Sequence, residues 1–291
     1  MVQVQQSYQT NEVGVLYIVP TPIGNLQDMT YRAVDTLQQV DTILAEDTRH
    51  TQKLLRHFAI DNPLLSFHEH NTESRLPQII ERLKLKEQFA LVSDAGMPAI
   101  SDPGFELVQA AIQEEIPVIV LPGAAALVNA VVASGLPTDE FVFHGFLPKK
   151  QTSKQAELER LSEYKGTIVL YESPYRVKET VQSIVKYIGN RKLVIAREIT
   201  KMYEQFIRGT GDEVLTYLQA NQIKGECCIV IEGNTSDADP TLKQWWEAYT
   251  IPEHVAYYET EKGMSNKLAM KQAAKDRGVS KREIYQEVHV K

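Results

Sequence analysis

Phe89-Ala90-Leu91-Val92-Ser93-Asp94-Ala95-Gly96-Met97-Pro98-Ala99-Ile100-Ser101-Asp102-Pro103-Gly104 is the stretch that decides how this chain is read. An apolar run, Phe89 to Val92, leads in, and a helical pattern, Phe105 to Ile112, leads out. Strand, long loop and helix in that order form one unit of an α/β protein, in which ligands collect at the carboxyl ends of parallel strands. Ala95-Gly96 lets a ligand approach the backbone closely. Ser101-Asp102-Pro103 predicts a helix start, with Asp102 as cap and Pro103 in the first helical position. An ordinary strand-to-helix turn would also account for the stretch alone, so the surrounding chain has to decide.

Working towards the N-terminus, the same unit repeats. Val15 to Thr21 is a strand running into Pro22-Ile23-Gly24-Asn25, and Thr30 caps a helix whose Ala33, Val34, Leu37 and Val40 fall at helical spacing. A strand from Thr42 to Ala45 ends in Glu46-Asp47-Thr48-Arg49-His50, followed by a helix to about His57. A strand around Leu64 to Phe67 precedes a helix from Thr72 carrying Leu76, Ile79, Ile80 and Leu83. Beyond the opening stretch, Ile116 to Leu121 finishes in Pro122-Gly123-Ala124-Ala125-Ala126 and opens another helix. Strand and helix alternate five times, which predicts a mostly parallel sheet with helices on its faces. Four strand ends carry special chemistry, at residues 22–25, 46–50, 93–102 and 122–126, and in a parallel sheet they converge on one edge.

Gly135 to Lys150, with Pro137, Pro148 and Lys149-Lys150, reads as a domain connection. A second α/β unit follows, with a helix at about 152–163, strands Thr167 to Tyr171, Lys192 to Ala196 and Glu226 to Ile231, helices from Pro174 and Asp212, and an extended segment from Met202 to Arg208. The expected organisation is a flexible N-terminus over 1–12, α/β domains over 13–135 and 136–233, a linker over 234–262 and a helical tail over 263–291. In the tail, Ser265 caps a helix ending at Gly278, and Ser280-Lys281-Arg282-Glu283 is a capping box opening another, a pattern resembling a helix-turn-helix. From Lys262 onward eight basic residues (Lys262, Lys267, Lys271, Lys275, Arg277, Lys281, Arg282, Lys291) face three acids, Asp276, Glu283 and Glu287, a local charge of +5. Such asymmetry suits a polyanion-binding module, although a solvated helical face is the plainer alternative.

Composition narrows the class. The chain of 291 residues is longer than a single core usually grows, and 43% hydrophobic with 24% charged residues is ordinary for a globular protein. A net charge of −7 gives no global sign of nucleic acid. The only cysteines, Cys227 and Cys228, are neighbours in a strand-like run that point to opposite faces, which argues against a mutual disulfide and fits a reducing cytoplasm. MVQVQQSYQT lacks the basic start and apolar core of a signal peptide, and no apolar run reaches membrane-spanning length. Neither Gly-x-Gly-x-x-Gly after a strand, nor a P-loop, nor a Gly-x-Ser-x-Gly elbow is present. His68-Glu69-His70 looks like a metal pair, but surface hydrogen bonding is the expected reading. Tyr171-Glu172-Ser173-Pro174-Tyr175-Arg176 predicts a helix capped by Ser173, with Arg176 in a first turn where the dipole disfavours a cation. Arg49 stands in a similar place. Both arginines therefore read as recruited for an anionic ligand or a buried carboxylate, with a surface salt bridge as the alternative. The residues alone describe a two-domain α/β enzyme with a cleft for a nucleotide-like ligand.

Thr21-Pro22-Ile23-Gly24-Asn25-Leu26 with Asp28, Ala45-Glu46-Asp47-Thr48-Arg49 and the opening loop resemble the small-subunit ribosomal RNA methyltransferase I family. Phe143-His144-Gly145-Phe146-Leu147-Pro148, Tyr171-Glu172-Ser173-Pro174 and Arg197-Glu198-Ile199-Thr200-Lys201 carry the same resemblance, which covers roughly residues 13–233 and extends to the basic tail. It implies a class III, tetrapyrrole-methylase-type fold, S-adenosyl-L-methionine as cofactor, a homodimer, and 2'-O-methylation of a cytidine in the decoding region of 16S rRNA, with the assembled 30S subunit as the expected substrate. By that resemblance Ile23 and Gly24, Asp94, Ala95, Gly96 and Met97, and Ile100 and Ser101 face the cofactor. Ala125 and Ala126 follow the fifth strand, where the class often has Pro-Gly-x-Ser/Thr-Ala, so Ala125 lacks a hydroxyl here. Glu172, Gly225 and Glu226 would contact the cofactor from the second domain. The expected proton acceptor is Glu198, Asp94 or Glu46, with Arg49 or Lys201 holding phosphate and Lys149, Lys150 and Lys154 giving further phosphate contacts. Gly96→Leu is expected to block the cofactor and leave the fold intact. The rival readings are a sister methyltransferase for a tetrapyrrole or protein, and a non-catalytic RNA-binding protein.

Overall fold

Phe89–Val92 is buried at all four positions, and its side chains alternate between two cores, as a strand covered on both faces requires. Phe89 and Leu91 enter one core, Ala90 and Val92 the other. The computed structural model that shows this describes residues 2–7, 12–235, 246, 249–277 and 279–289. In chain order its first half contains β1 (Leu16–Ile18), α1 (Tyr31–Gln39), β2 (Thr42–Ala45), α2 (Thr48–His57), β3 (Leu64–Ser66) and α3 (Thr72–Lys84). It continues through β4 (Phe89–Val92), α4 (Phe105–Gln113), β5 (Val118–Val120) and α5 (Ala126–Ser134). The strands form one parallel sheet in the order β3-β2-β4-β1-β5.

Helices α1 and α2 pack on one face of this sheet through Ala33, Leu37 and Leu55. Helices α3 and α4 pack on the other through Ile79, Ile80, Leu83, Leu107 and Ala111. The connections leaving β2 and β4, neighbours in the sheet, therefore run in opposite directions over opposite faces. A crevice opens at such a switch point, outside the carboxyl ends of the strands.

The second half contains β6 (Phe141–Phe146), α6 (Gln151–Ser162), β7 (Thr167–Glu172), α7 (Val177–Tyr187), β8 (Lys192–Arg197), β9 (Gln205–Thr210), α8 (Gly211–Ala220) and β10 (Cys227–Ile231). Its sheet, β6-β7-β10-β8-β9, is mixed: β6 and β7 run parallel and the other pairs antiparallel. The strand β6 lies in the stretch read from sequence as a domain connection. A bulge between Phe143 and Gly145 breaks its alternation, which explains why periodicity did not expose it. Helices α6, α7 and α8 cover one face, while α5 and Ile23 from the first half cover the other. Cys227 points into the first of these cores and Cys228 into the second; both are free.

Both sheets belong to one compact unit ending at Asn234, and a second unit follows. The second contains α9 (Ile251–Thr260), α10 (Asn266–Arg277) and α11 (Lys281–His289) around Val255, Ala269, Met270, Ala273, Ala274 and Ile284. A capping box between Thr250 and Glu253 starts α9 inside the expected linker; residues 236–245 and 247–248 of that linker, together with Gly278 and Lys291, lie outside the described residues. The Ser280 hydroxyl accepts from the Glu283 amide as expected. Lys262, Lys267, Lys271, Lys275, Lys281 and Arg282 are exposed, but Arg277 turns inward and donates to His254 Nδ1 and to the Trp246 and Tyr249 carbonyls. At the other terminus, Gln5, expected in a flexible arm, exchanges two hydrogen bonds with Val118 beside β5.

Candidate active site

A cavity of about 430 Å³ lies at the carboxyl edge of the first sheet. Each of the four loops singled out in the sequence reaches it: Ile23, Glu46, Asp94 to Met97 with Ile100 to Asp102, and Ala125 with Ala126. The second half closes it with Phe146, Tyr171 to Pro174, Ala196, Glu198, Ile199 and Glu226 to Cys228. Its size is that of a small-molecule site, typically about 300–1,000 Å³.

The loop after β4 is pinned by hydrogen bonds. Gly96 and Thr21 exchange both backbone bonds, 2.9 and 3.0 Å, the Ser93 hydroxyl donates to the Gly96 carbonyl, and the Thr21 hydroxyl donates to the Ser93 carbonyl. Gly96 has φ +85, and a Cβ there would stand 3.2 Å from Ile23 Cγ2. Glycine is needed for both the backbone angle and the space. Gly96 spends its own N–H and C=O on Thr21, so it shapes the loop, and any backbone contact to a ligand falls to its neighbours.

Asp102 does not cap α4. The helix begins at Phe105 with Gly104 as its cap residue, Ala99 and Ser101 take positive φ of 65, and Asp102 turns into the cavity. Burial, then the nearby Glu46 and Asp94 carboxylates, pushes its carboxyl up to about 6. Glu46 is also raised, by burial and then by Asp94. These groups come from β2 and β4, the strands flanking the switch point, and Asp94 Oδ1 further accepts from the Asp47 amide at 3.3 Å. Among the described residues no lysine, arginine or histidine lines the cavity. The wall formed by Glu46, Asp94 and Asp102 is electrostatically more favourable to a cation than to an anion. Asp102 was missed from sequence because Asp-Pro is an ordinary helix-start signal.

A raised carboxyl costs stability that grows from the pH at which the unfolded chain ionises it to the pH at which the folded chain does. For Asp102 the penalty is absent below the unfolded value, near pH 4, and complete above about pH 6. Asp102→Asn is therefore expected to raise the melting temperature at pH 7.5 by about 2–4 °C and to leave it unchanged at pH 3.5. Calorimetric melts of both proteins at the two pH values check this; an equal shift at both contradicts it.

The remaining expected site residues divide clearly. Ile23, Asp94, Ala95, Gly96, Met97, Ile100, Ser101, Ala125, Ala126, Glu172 and Glu198 line the cavity, whereas Gly24, Gly225, Arg49 and Lys201 do not. A side chain at Gly24 would collide with the Lys201 stem, and one at Gly225 with the Glu198 carboxylate, so these glycines make room for those two residues. Lys201 donates to Glu198 at 3.0 Å and Glu226 at 3.2 Å. Burial works against its charge, but these contacts prevail and hold the ammonium above the usual lysine value. Glu198 has φ +50, a conformation that costs about 1–2 kcal/mol for a non-glycine residue, and its carboxylate also accepts from the Glu226 amide.

The two arginines resolve differently. Arg176 is the residue before α7, which begins at Val177 rather than at Pro174, and it sits 3.3 Å from the buried Glu172 carboxylate. Glu172 also accepts from the Ser173 amide and the Thr180 hydroxyl, so its oxygens are committed within the protein. Arg49 forms a bidentate surface pair with Asp47 and is 89% exposed. Lys154, expected to meet phosphate, is 1% exposed and bound to Glu179 at 2.6 Å; it faces α7 from the inner side of α6. Among the described residues no group of His, Cys, Asp and Glu could hold a metal, and no helix is long and apolar enough to cross a membrane.

The sequence profile of the Tetrapyrrole (Corrin/Porphyrin) Methylases matches residues 15–215. Ribosomal RNA small subunit methyltransferase I of Bacillus subtilis is 48% identical over the whole of both chains. The protein of that name from Halalkalibacterium halodurans is 50% identical over 98% of each. Among solved structures, a cobalt precorrin-4 methyltransferase aligns with TM-score 0.56 at 20% identity, over 78% of this chain and 96% of that one. A diphthine synthase aligns with TM-score 0.57 at 12% identity, over 75% and 90%, and both show the fold alone. The chain belongs to the tetrapyrrole methylase class and, within it, to the ribosomal RNA small subunit methyltransferase I family.

Proposed function

We propose that this protein transfers the methyl group of S-adenosyl-L-methionine to the 2'-hydroxyl of a cytidine in the decoding region of small-subunit rRNA. The observation that carries the cofactor reading is the cavity wall: Glu46, Asp94 and Asp102, with no cation lining it among the described residues. S-adenosyl-L-methionine bears a sulfonium and an ammonium against one carboxylate, so its net positive charge fits, and ionised Asp102 gains a partner. Asp94, Ala95, Met97, Ile100, Ser101, Ala125 and Ala126 would hold it from the first half, with Gly96 shaping the loop. Glu172 stiffens the opposite wall. When bound, the cofactor supplies an already activated methyl group.

The protein's share of the chemistry is then alignment and proton removal. Holding the ribose oxygen in line with the methyl group lowers the barrier by fixing orientation. Glu198, on the cavity wall, accepts the hydroxyl proton, and Lys201, kept protonated, steadies charge beside it. In this reading Arg49, exposed but paired with Asp47, and the exposed Lys149 and Lys150 would supply phosphate contacts. The homodimer and the cytoplasmic setting implied by the family resemblance complete this reading.

The exposed lysines of α10 and α11 give the RNA-binding role to the helical unit. The unit boundary follows Asn234, so truncation there, rather than at residue 262 between α9 and α10, is the clean test. Residues 1–234 are expected to keep cofactor affinity within about threefold and to lose at least about tenfold in methyl transfer to 30S subunits, because several phosphate contacts go at once. Labelled-methyl transfer, nucleotide mapping and calorimetry measure this. Label on the base, on protein, or on a tetrapyrrole would refute the ribose assignment.

A further inference from the structure

Helix α5 begins without a side-chain cap. Its cap residue is Ala125, and the Ala125 carbonyl is used by the Val128 and Asn129 amides. The first amides of a helix have no partner within it, and a serine or threonine at the cap position normally supplies one. Here the Leu127 amide, in the first turn, donates instead to the phenol oxygen of Tyr171 at 3.2 Å, across 44 positions of sequence.

Tyr171 stands near the end of β7, in the other sheet. Its ring is held edge-on by Phe143 at 4.8 Å and Phe146 at 5.8 Å between centroids. Tyr171 and Leu127 both line the cavity. Burial drives the phenol well above its ordinary value, so no working pH converts this acceptor to a phenolate.

We propose that Tyr171 is a positioning residue for the cofactor: its hydroxyl caps α5 from the opposite sheet and thereby fastens the loop 122–126 to β7, fixing the width of the cavity. The proposal rests on reading that cavity as the cofactor site. An isolated cap would serve α5 equally well from position 125. Placing the cap on β7 makes the same hydrogen bond set the spacing between the walls that Ala125 and Ala126 form on one side and Tyr171 to Pro174 on the other.

The test compares the full-length chain with Tyr171→Phe, Ala125→Ser and the double variant. Phenylalanine keeps the ring contacts and removes only the oxygen, while serine at 125 restores a local cap. Hydrogen exchange of the α5 amides is measured without ligand, and S-adenosyl-L-methionine affinity by calorimetry. In Tyr171→Phe the Leu127 amide should exchange about tenfold faster and the Kd should rise about tenfold, the loss of one cap. In the double variant the serine should recover exchange protection and leave the Kd raised, with Ala125→Ser alone reporting any direct effect of the new hydroxyl. An unchanged Kd in Tyr171→Phe overturns the proposal, as does a Kd recovered together with protection, which would reduce Tyr171 to a helix cap. Failure of the unmutated protein to bind the cofactor would overturn the cofactor reading instead, and the ligand-free exchange data tell the two failures apart.

Discussion

Gly96→Leu is expected to abolish measurable S-adenosyl-L-methionine binding, a loss of more than about a hundredfold, because its Cβ already presses on Ile23 and the leucine branches beyond it take up space beside that residue, which also lines the cavity. The loop cannot swing aside while Gly96 exchanges two backbone hydrogen bonds with Thr21 and receives a third from Ser93. The fold is expected to stay intact but less stable. At φ +85 any side chain is strained, and its Cβ presses on Ile23 Cγ2 and approaches the Ala124 carbonyl oxygen at 3.7 Å. Strain of this kind costs about 1–3 kcal/mol, which lowers the melting temperature without unfolding the protein. Gly96→Ala separates the two effects: it carries the backbone strain and fills little of the cavity, so its stability should fall while most affinity survives. Calorimetric titration and thermal melts of both variants decide the matter, and normal binding by the leucine protein would remove the central role given to this loop.

The second large effect is on turnover. Glu198→Gln preserves shape, and the amide oxygen can still accept from Lys201 and the Glu226 amide, so the wall should stay in place. What disappears is the capacity to take a proton. Removal of a general base typically costs about 10²–10⁴ in rate, so kcat should fall by at least about a hundredfold with cofactor Kd changed less than about threefold. Single-turnover methyl transfer on 30S subunits, alongside cofactor titration, provides the split. A variant that keeps full turnover would shift the role to Asp94, Glu46 or Asp102, whose asparagine and glutamine variants are the direct comparison.

The first sheet was legible because its strands are short apolar runs, each ending in a loop whose composition differs from solvent-facing turns. Convergence of the loops at Ile23, Glu46, Asp94 and Ala125 followed from parallel topology alone. The second half was harder to read. An antiparallel pairing such as β8 with β9 leaves no mark that distinguishes it from a parallel one, and the bulge hides β6. Cap signals misled at Asp102-Pro103, which is drawn into the cavity wall before its helix begins, while the Ser173 hydroxyl does accept from the Tyr175 amide in the turn that leads into α7 at Val177. Charge was the least legible property. Lys154 and Arg277 look like surface cations in sequence, yet each is turned to a partner inside the fold, whereas Arg176 does meet a buried carboxylate, one of the two readings its place in the sequence suggested. Partnering of this kind depends on tertiary neighbours, which spacing does not encode.

The position of β10 has a consequence for biosynthesis. Every strand of the first sheet is complete once residue 120 has been made, whereas β7 and β8 do not pair with each other and both wait for β10 at residues 227–231. Closing that sheet joins segments far apart along the chain, a slow kind of contact to form. An emerging polypeptide therefore carries a finished N-terminal half beside two strands with open edges, exposed to wrong pairing until the last strand slots between them. The wall bearing Tyr171, Glu172 and Glu198 is assembled last, so a nascent or prematurely ended chain has half a cavity and no means of closing it.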